Sequence, residues 1–405
     1  MSNQTFQILK DLPTPLFQTQ CVLHKHELLI CGYTNNRRCF SYHILKNEYK
    51  PICEYPSDVC LDGHCVVKLI DNNNSNKSSN EITLLSFGGS EHTKRHTLMM
   101  KYVSVWSNNN EMDKSKKLKK SNNCNQWMPL NNEEYPIHFG RYVDDYIGVR
   151  AVIGGSDKNL LFITFSKNIN VFDLNTFKLI KQDYLPIGYP IRCHCFVLKS
   201  ENGQEMIKMN EEENNIKKKK NHEMLLFCEK TGLSIEYDED NNTFQFHQLP
   251  VHNDIASLNF YAYVCINDVI LFFGGLNISN SIASKSVHKY SIQENKWTIF
   301  QNALPCPLFD CVAILSEDNT YMHIIGGMNE TNQCMSMHMK TKVSEWSSEE
   351  EMKQENKLKI EEEKEEKKEE DKNNKIVKKK YNKQDKMNKQ ITVEFFTFSV
   401  VTMFF

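Results

Sequence analysis

"FQILKDLPTPLF" at residues 6–17 returns as "FQNALPCPLF" at residues 300–309, where it ends one unit of chain and begins another. Working outward from the pair, apolar runs that break at glycine recur along the sequence: "ELLICGY" (27–33), "ITLLSFGGS" (82–90), "VILFFGGLN" (269–277) and "MHIIGGMN" (322–329). Four to six β-favouring residues ended by glycine read as a buried strand entering a turn that needs positive φ, which glycine adopts at little steric cost. One such run is weak evidence for a fold, but the recurrence is decisive.

After each run come a loop, another run and a further one ending in proline, as in "CFSYHILKNEYKPICEYP" (39–56) and "SVHKYSIQENKWTIFQNALP" (286–305). The same grammar runs without the glycine pair in "INVFDLNTFKLIKQDYLP" (169–186), and with the single Gly232 in "EMLLFCEKTGLSIEYDEDNNTFQFHQLP" (223–250). The pair Gly154–Gly155 falls one strand early, in a hairpin turn "GGSDKN". The pattern predicts four strands per unit and six units, with second strands at 27–31, 82–87, 160–165, 223–228, 269–273 and 321–325. Roughly 50 residues per unit is the kelch period. An apolar run, Gly-Gly, an aromatic residue, Trp and Leu-Pro is similar to the kelch motif, and the resemblance covers residues 6 to 346. Gly-Gly is intact in three units, and Trp127 and Trp297 stand at the expected place in two. The resemblance implies an all-β fold, a six-bladed kelch-type β-propeller of four-stranded antiparallel blades.

The opening phrase then has a reason. The first five units end near Pro56, Pro129 or Pro136, Pro186, Pro250 and Pro305, whereas the sixth runs "CMSMHMKTKVSEWSSEEE" into a charged tail without its closing strand. "TFQILKDLP" (5–13) has the composition of that strand, so the N-terminus is expected to pair with the last blade and close the ring, leaving no exposed edge. The segment around Trp346 competes for the same place. Polar inserts at 71–81, 107–123 and 200–221 fall between first and second or third and fourth strands. In an up-and-down blade those loops share one face, which leaves the opposite face, made of second-to-third and fourth-to-first loops, less obstructed.

Three segments are expected: 5–346 as the propeller, 347–390 as a Glu/Lys-rich low-complexity tail, and 391–405, "ITVEFFTFSVVTMFF", as a short hydrophobic end. The tail resembles coiled-coil sequence in composition but has no sustained heptad and too few apolar residues to fold alone, so it reads as disordered or a solvated single helix. The last stretch is short of the ~20 residues a spanning helix needs and contains Glu394, which argues against a membrane anchor. Lys+Arg 49 against Asp+Glu 51 gives a net charge of -2, so no chain-wide basic excess points to nucleic acid. "KKLKK" (116–120) and "KKKK" (217–220) read as solubilising filler in Asn-rich inserts. The N-terminus lacks the basic start and apolar run of a secretory signal, and the 14 cysteines are scattered singly through apolar runs, so a reducing, cytoplasmic location with free buried thiols is expected.

Catalytic signatures are sparse. "CHC" at Cys193, His194 and Cys195 has no second Cys/His pair at zinc spacing, and in a strand its two sulfurs would share one face with the imidazole on the other. Kelch propellers include copper-radical oxidases, which need a Cys beside a Tyr plus His ligands, and iron-dependent lyases with a spaced Glu, Asp and His set. No stretch of this sequence pairs a Cys with a Tyr that way. Tyr42, Tyr237, Tyr290 and His338 fall inside third strands. No catalytic residue, metal ligand or cofactor is assigned, although an oxidase or lyase with a site on the propeller axis is an alternative, since such sites are assembled from distant blades. One constellation rises above background: Arg37 and Arg38 in "GYTNNRRC", and His92, Lys94, Arg95 and His96 in "GGSEHTKRHT". Adjacent blades would set these loops side by side as a cationic patch able to hold carboxylate or phosphate; the bland alternative is solvated loop charge. The expectation is a monomeric, non-enzymatic scaffold that binds an acidic or phosphorylated protein segment. A membrane-tethered scaffold is the remaining alternative.

Overall fold

The computed structural model describes residues 5–33, 36–70, 81–106, 124–131, 135–199 and 221–346; apart from Glu81 and Asn221, the three inserts lie outside these, as do the expected tail (347–390) and hydrophobic end (391–405). The chain divides into a unit of residues 1–345 and one of 346–405, and the description concerns the first. Among the described residues there is no α-helix, and no helix is long and apolar enough to cross a membrane.

Strand β1 is Gln7–Ile8. A first sheet follows from β2 (Gln20–His24), β3 (Glu27–Tyr33), β4 (Asn36–His43) and β5 (Glu48–Glu54). A second holds β6 (Cys65–Leu69), β7 (Glu81–Gly88), β8 (His96–Val103) and β9 (Met128–Pro129). The third is β10 (Arg150–Gly154), β11 (Leu160–Phe165), β12 (Asn168–Asp173) and β13 (Lys178–Tyr184). The fourth is β14 (Cys195–Leu198), β15 (Asn221–Cys228), β16 (Thr231–Asp238) and β17 (Thr243–Gln248). A small three-stranded sheet, β18 (Leu258–Asn259), β21 (Leu276–Asn277) and β22 (Ile282–Ala283), accompanies the fifth, which is β19 (Ala262–Ile266), β20 (Val269–Phe273), β23 (Val287–Ser291) and β24 (Lys296–Ile299). The sixth comprises β25 (Val312–Leu315), β26 (Tyr321–Ile325) and β27 (His338–Lys342), and β1 is its fourth strand. All pairings within these sheets are antiparallel, and each expected second strand is present.

Second strands such as β3 and β11 are buried throughout, and the outer β13 and β17 mostly exposed. The second strands are buried on both faces, which is why they read as continuous apolar runs rather than alternating ones. Leu84 packs with Leu29 and Cys39 of the first sheet while its neighbour Leu85 packs with Leu161 and Ile163 of the third. Phe162 in turn meets Leu226 and Ile235 of the fourth, and Leu225 meets Ile270 and Phe272 of the fifth. The core is therefore a series of apolar layers between consecutive sheets. First strands lie inside: β2 runs beside β6 and β25, β10 beside β6 and β14, and β19 beside β25.

The repeated "PLF" has a joint to itself. Leu308 accepts a hydrogen bond at its carbonyl from Gly275 N (2.8 Å) and donates its own N–H to Ser284 O (3.0 Å). Leu16 does the same, accepting from Gly327 N (2.7 Å) and donating to Met335 O (3.2 Å). A side chain on Gly274 or Gly326, the first glycine of each pair, would meet those leucine carbonyls at 2.1 and 2.3 Å, and all four glycines of the two pairs have positive φ. The Gly-Gly pair is thus needed twice over, for backbone sign and for the close approach of the incoming strand's carbonyl. Leu12 and Leu304 correspond as well, donating to Ser336 O and Lys285 O, both at 2.8 Å. The N-terminal segment enters the first sheet from the sixth as residues 304–309 enter the sixth from the fifth, and β1 pairs with β27 (Gln7 with Lys340, Ile8 with Met339). The competing segment, Val343–Trp346, forms a 3-10 turn instead of a strand.

A second recurrence ties third strand to fourth. Tyr42, Tyr237 and Tyr290 each donate their hydroxyl to the side-chain oxygen of an asparagine five residues on, Asn47 (3.0 Å), Asn242 (2.6 Å) and Asn295 (2.5 Å). Those asparagines sit at φ of 52°, 53° and 54°, the left-handed turn conformation asparagine tolerates best among residues with a side chain. The third-strand tyrosines therefore hold hairpin turns.

Candidate functional site

The two loop classes expected to share a face do interlock. Arg37, at the entry to β4, donates to Pro56 O (3.1 Å) and Val59 O (3.3 Å) of the loop leading to the second sheet, and Cys60 N of that loop donates to Lys94 O (3.1 Å). Arg95 donates to the carbonyls of Phe139 and Arg141 in the loop leading to the third sheet and lies over the Tyr146 ring, 5.1 Å from its centroid. Arg37 and Arg95 thus staple one sheet to the loop that starts the next. His96 is buried in the sheet, its Nε2 on Ser86 Oγ (3.1 Å), and burial, reinforced by His64 nearby, drives its pKa down to about 3, so it is neutral.

Three of the six residues remain on the surface as cations or titratable groups. Arg38 is 58% exposed and pairs with Glu54 at 3.1 Å; Lys94 is 71% exposed with Asp58 at 4.0 Å; His92 faces Glu91 at 3.3 Å. Exposed pairs of this kind are worth about 0–1 kcal/mol, so a ligand carboxylate can replace the internal one. The loops that open the third and fourth sheets add exposed Tyr142, Val143 and Tyr189, the last 79% exposed, and Arg192 to Asp145 (2.6 Å) bridges those two loops. Sequence reasoning did not single out these aromatic residues, because nothing in a loop sequence tells an exposed tyrosine from one that folds back into the core.

The second feature lies among the turns that lead into the first strands. Two residues before the first strand of each of the six four-stranded sheets the backbone turns left-handed: Gln18, Gly63, Gly148, Cys193, Phe260 and Asp310, with φ between 49° and 72°. Three backbone bonds link neighbours in this set, Gln18 N to Asp310 O (2.8 Å), Asp310 N to Phe260 O (2.7 Å) and Cys193 N to Gly148 O (2.8 Å). Inside it is a cavity of about 180 Å³ lined by residues of five of the six four-stranded sheets and by lead-in turns, that of the fourth sheet included, among them Gln18, Thr19, Arg150, Cys193, Tyr263 and Asp310. Burial raises the Asp310 carboxyl to about 7; Gln18 Nε2 donating to Oδ2 (3.1 Å) and the charge of Arg150 pull against this, and Asp62 adds to it. The Cys193 thiol is pushed up to about 11 by burial, so it is protonated and unreactive at neutral pH.

The "CHC" stretch comes apart. Cys193 precedes its strand in a left-handed turn and lines the cavity, Cys195 begins β14 in the apolar core, and His194 turns to Thr164 Oγ1 at 2.7 Å. The two sulfurs do not share a strand face, because only Cys195 lies in the strand. Among the described residues no three His, Cys, Asp or Glu side chains lie together in a metal-holding group.

No family model matches the chain, and no curated protein does. Among solved structures it is similar to one titled "Structure of YjhT", with a TM-score of 0.53 and 11% identity over 82% of this chain and 96% of that one. At that identity the likeness speaks for fold alone, and with the stacked four-stranded antiparallel sheets it gives the chain a propeller-like all-β fold.

Proposed function

We propose that the chain is a six-bladed propeller of the kelch type, closed through its N-terminal strand, that serves as a monomeric cytoplasmic scaffold binding an acidic or phosphorylated protein segment on its open loop face. The ring reading rests on the six sheets with neighbouring first strands and on the duplicated Leu-carbonyl joint at Leu16 and Leu308. The binding reading is carried by one observation: exposed cations, Arg38 and Lys94, at second-to-third connections and exposed aromatic residues, Tyr142 and Tyr189, on fourth-to-first loops belong to the two loop classes that interlock, held by staples that use other residues. Tyrosine and arginine are enriched at interface hot spots, tyrosine because it buries much surface at little cost in freedom and arginine because its planar fork can hold a carboxylate or phosphate bidentately.

The test separates binding from folding. Full-length protein is purified gently from its own cells beside an Arg38→Glu/Lys94→Glu variant, with Arg37 and Arg95 left intact, and bound proteins are identified by mass spectrometry. A partner held by the native chain and lost by the variant, at equal melting temperature, is the expected outcome. A partner set that the double reversal leaves unchanged would sink the reading.

A further inference from the structure

Arg150, the first residue of β10, lines the cavity with its guanidinium half-buried. Its Nη1 donates to Val149 O (2.7 Å) and lies 3.5 Å from Gly63 O, and no carboxylate of a described residue comes within ion-pair distance. A guanidinium cannot shed its proton, and Arg150, half-buried at the cavity wall, keeps its charge there. The same cavity holds two further unmet groups. Thr19, 2% exposed, has its Oγ1 without a hydrogen-bond partner, and so does Gln18 Oε1. Buried polar atoms in native structures rarely go without a partner, and here two lie around one space beside the Arg150 guanidinium.

That space favours one kind of occupant. About 180 Å³ is comparable to cavities that accept a molecule of roughly six to ten heavy atoms. Ala151, Ala262 and Ala313 supply apolar wall, so the body of the ligand need not be charged. A dianion such as phosphate would face Asp310 with Asp62 behind it, whereas a single carboxylate can take the guanidinium fork and share the Asp310 proton. We propose that the axial cavity binds a small organic monocarboxylate, its carboxylate on Arg150 beside Asp310, independently of any peptide bound by the outer loops.

Because Asp310 sits near 7, affinity should fall as pH rises from 6 to 8 and the carboxyl loses its proton. The groups that face it are Gln18 ahead of β2, Asp62 ahead of β6, Arg150 of β10 and the thiols of Cys193 and Cys311, which burial pushes up to about 11 and about 12 and so keeps protonated across that window. Full-length protein is titrated calorimetrically with acetate, lactate and 2-oxobutyrate, and with lactamide and inorganic phosphate as neutral and dianionic controls. At least one carboxylate should saturate below about 1 mM, with both controls about tenfold weaker or worse. Arg150→Gln should weaken it at least about tenfold, the scale of a charge-assisted bond, while Asp310→Asn should keep binding and flatten its pH dependence. If Arg150→Gln does not unfold cooperatively, Arg150→Lys, which keeps the charge and loses the fork, replaces it with the same expected loss. No saturable binding of any carboxylate, phosphate binding as tight as the best of them, or affinity unchanged by the Arg150 variant would each overturn the proposal.

Discussion

If the N-terminal segment occupies the last sheet in the way residues 304–309 occupy the joint before it, truncating Leu16 and Leu308 to alanine should have matched consequences. Both are 0% exposed, and each presents its carbonyl to the second glycine of a Gly-Gly pair. Removing three buried carbons from a site that can only partly relax costs about 2–5 kcal/mol. Unfolding entropy near 2.1 cal/mol/K per residue, over a cooperative unit of about 340 residues, is ~0.7 kcal/mol/K, so each variant should melt about 3–7 °C below the native protein. Ile8→Ala, at a β1 position that is 51% exposed, serves as the control and should shift melting by less than ~1 °C. Differential scanning calorimetry on the full chain reads all three. Should Leu308→Ala cost the full amount while Leu16→Ala matches the control, the N-terminal segment is not a structural member of the sixth sheet, and ring closure through it is wrong.

Gly63 has φ of 55°, and a Cβ on it would lie 2.6 Å from the Gly148 backbone, whereas a Cβ on Gly188 meets nothing within 4 Å; Gly63→Ala should therefore cost about 2–5 kcal/mol of strain and overpacking, and Gly188→Ala almost none, by the same calorimetry. Glu27, buried between the first two sheets, accepts from Ser41 Oγ (2.7 Å), Tyr102 OH (2.5 Å) and Ser104 Oγ (2.5 Å). Glu27→Gln sets an amide donor against those hydroxyls and should lose about 1–3 kcal/mol in urea unfolding, with an unchanged midpoint counting against the network. Burial lowers His64, His288 and His323 to about 4 and His96 to about 3, so between pH 6.5 and 4 the unfolded chain takes up protons that the folded chain refuses, and stability falls on acidification by up to about 3 kcal/mol per histidine. Asp310, raised to about 7, opposes this as one group against four, so melting at pH 5.0 should lie several degrees below that at pH 7.5, and equal midpoints would refute the burial of neutral histidines.

What was legible in the sequence is what repeats. Strand positions, hairpin glycines and the resemblance of residues 5–13 to a missing fourth strand are all set by backbone demands that recur in each unit, and β3, β7, β11, β15, β20 and β26 stand where the apolar runs put them. The Tyr-to-Asn bond also lay in plain view as tyrosine followed five residues later by asparagine in "YHILKN", "YDEDNN" and "YSIQEN", although its role shows only once the asparagine is seen to be left-handed. The loop patch was half legible. Composition located Arg37, Arg38, His92, Lys94, Arg95 and His96 at two turns, but a guanidinium that staples a carbonyl and one that faces water have the same letter. Which of the two a given Arg becomes depends on the neighbouring sheet, whose loop arrives from a distant part of the chain.

The axial site was illegible for a related reason, and its strain is an argument about what it is for. Each of the six sheets contributes one left-handed residue just ahead of its first strand, so the local demand at the six places is the same. Glycine meets that demand without penalty, as it does at Gly63 and Gly148. Gln18, Cys193, Phe260 and Asp310 meet it with a side chain, at a penalty of about 1–2 kcal/mol each for the left-handed backbone. All four of these line the cavity, and the two glycines do not. If these six turns were selected for turning alone, the residues with side chains among them would fall without regard to the cavity wall. At these six places the residues with side chains do fall on it, whereas left-handed residues elsewhere, such as Asn47, Asn242 and Asn295, hold hairpin turns, and strain of the first kind is what a site that binds something retains.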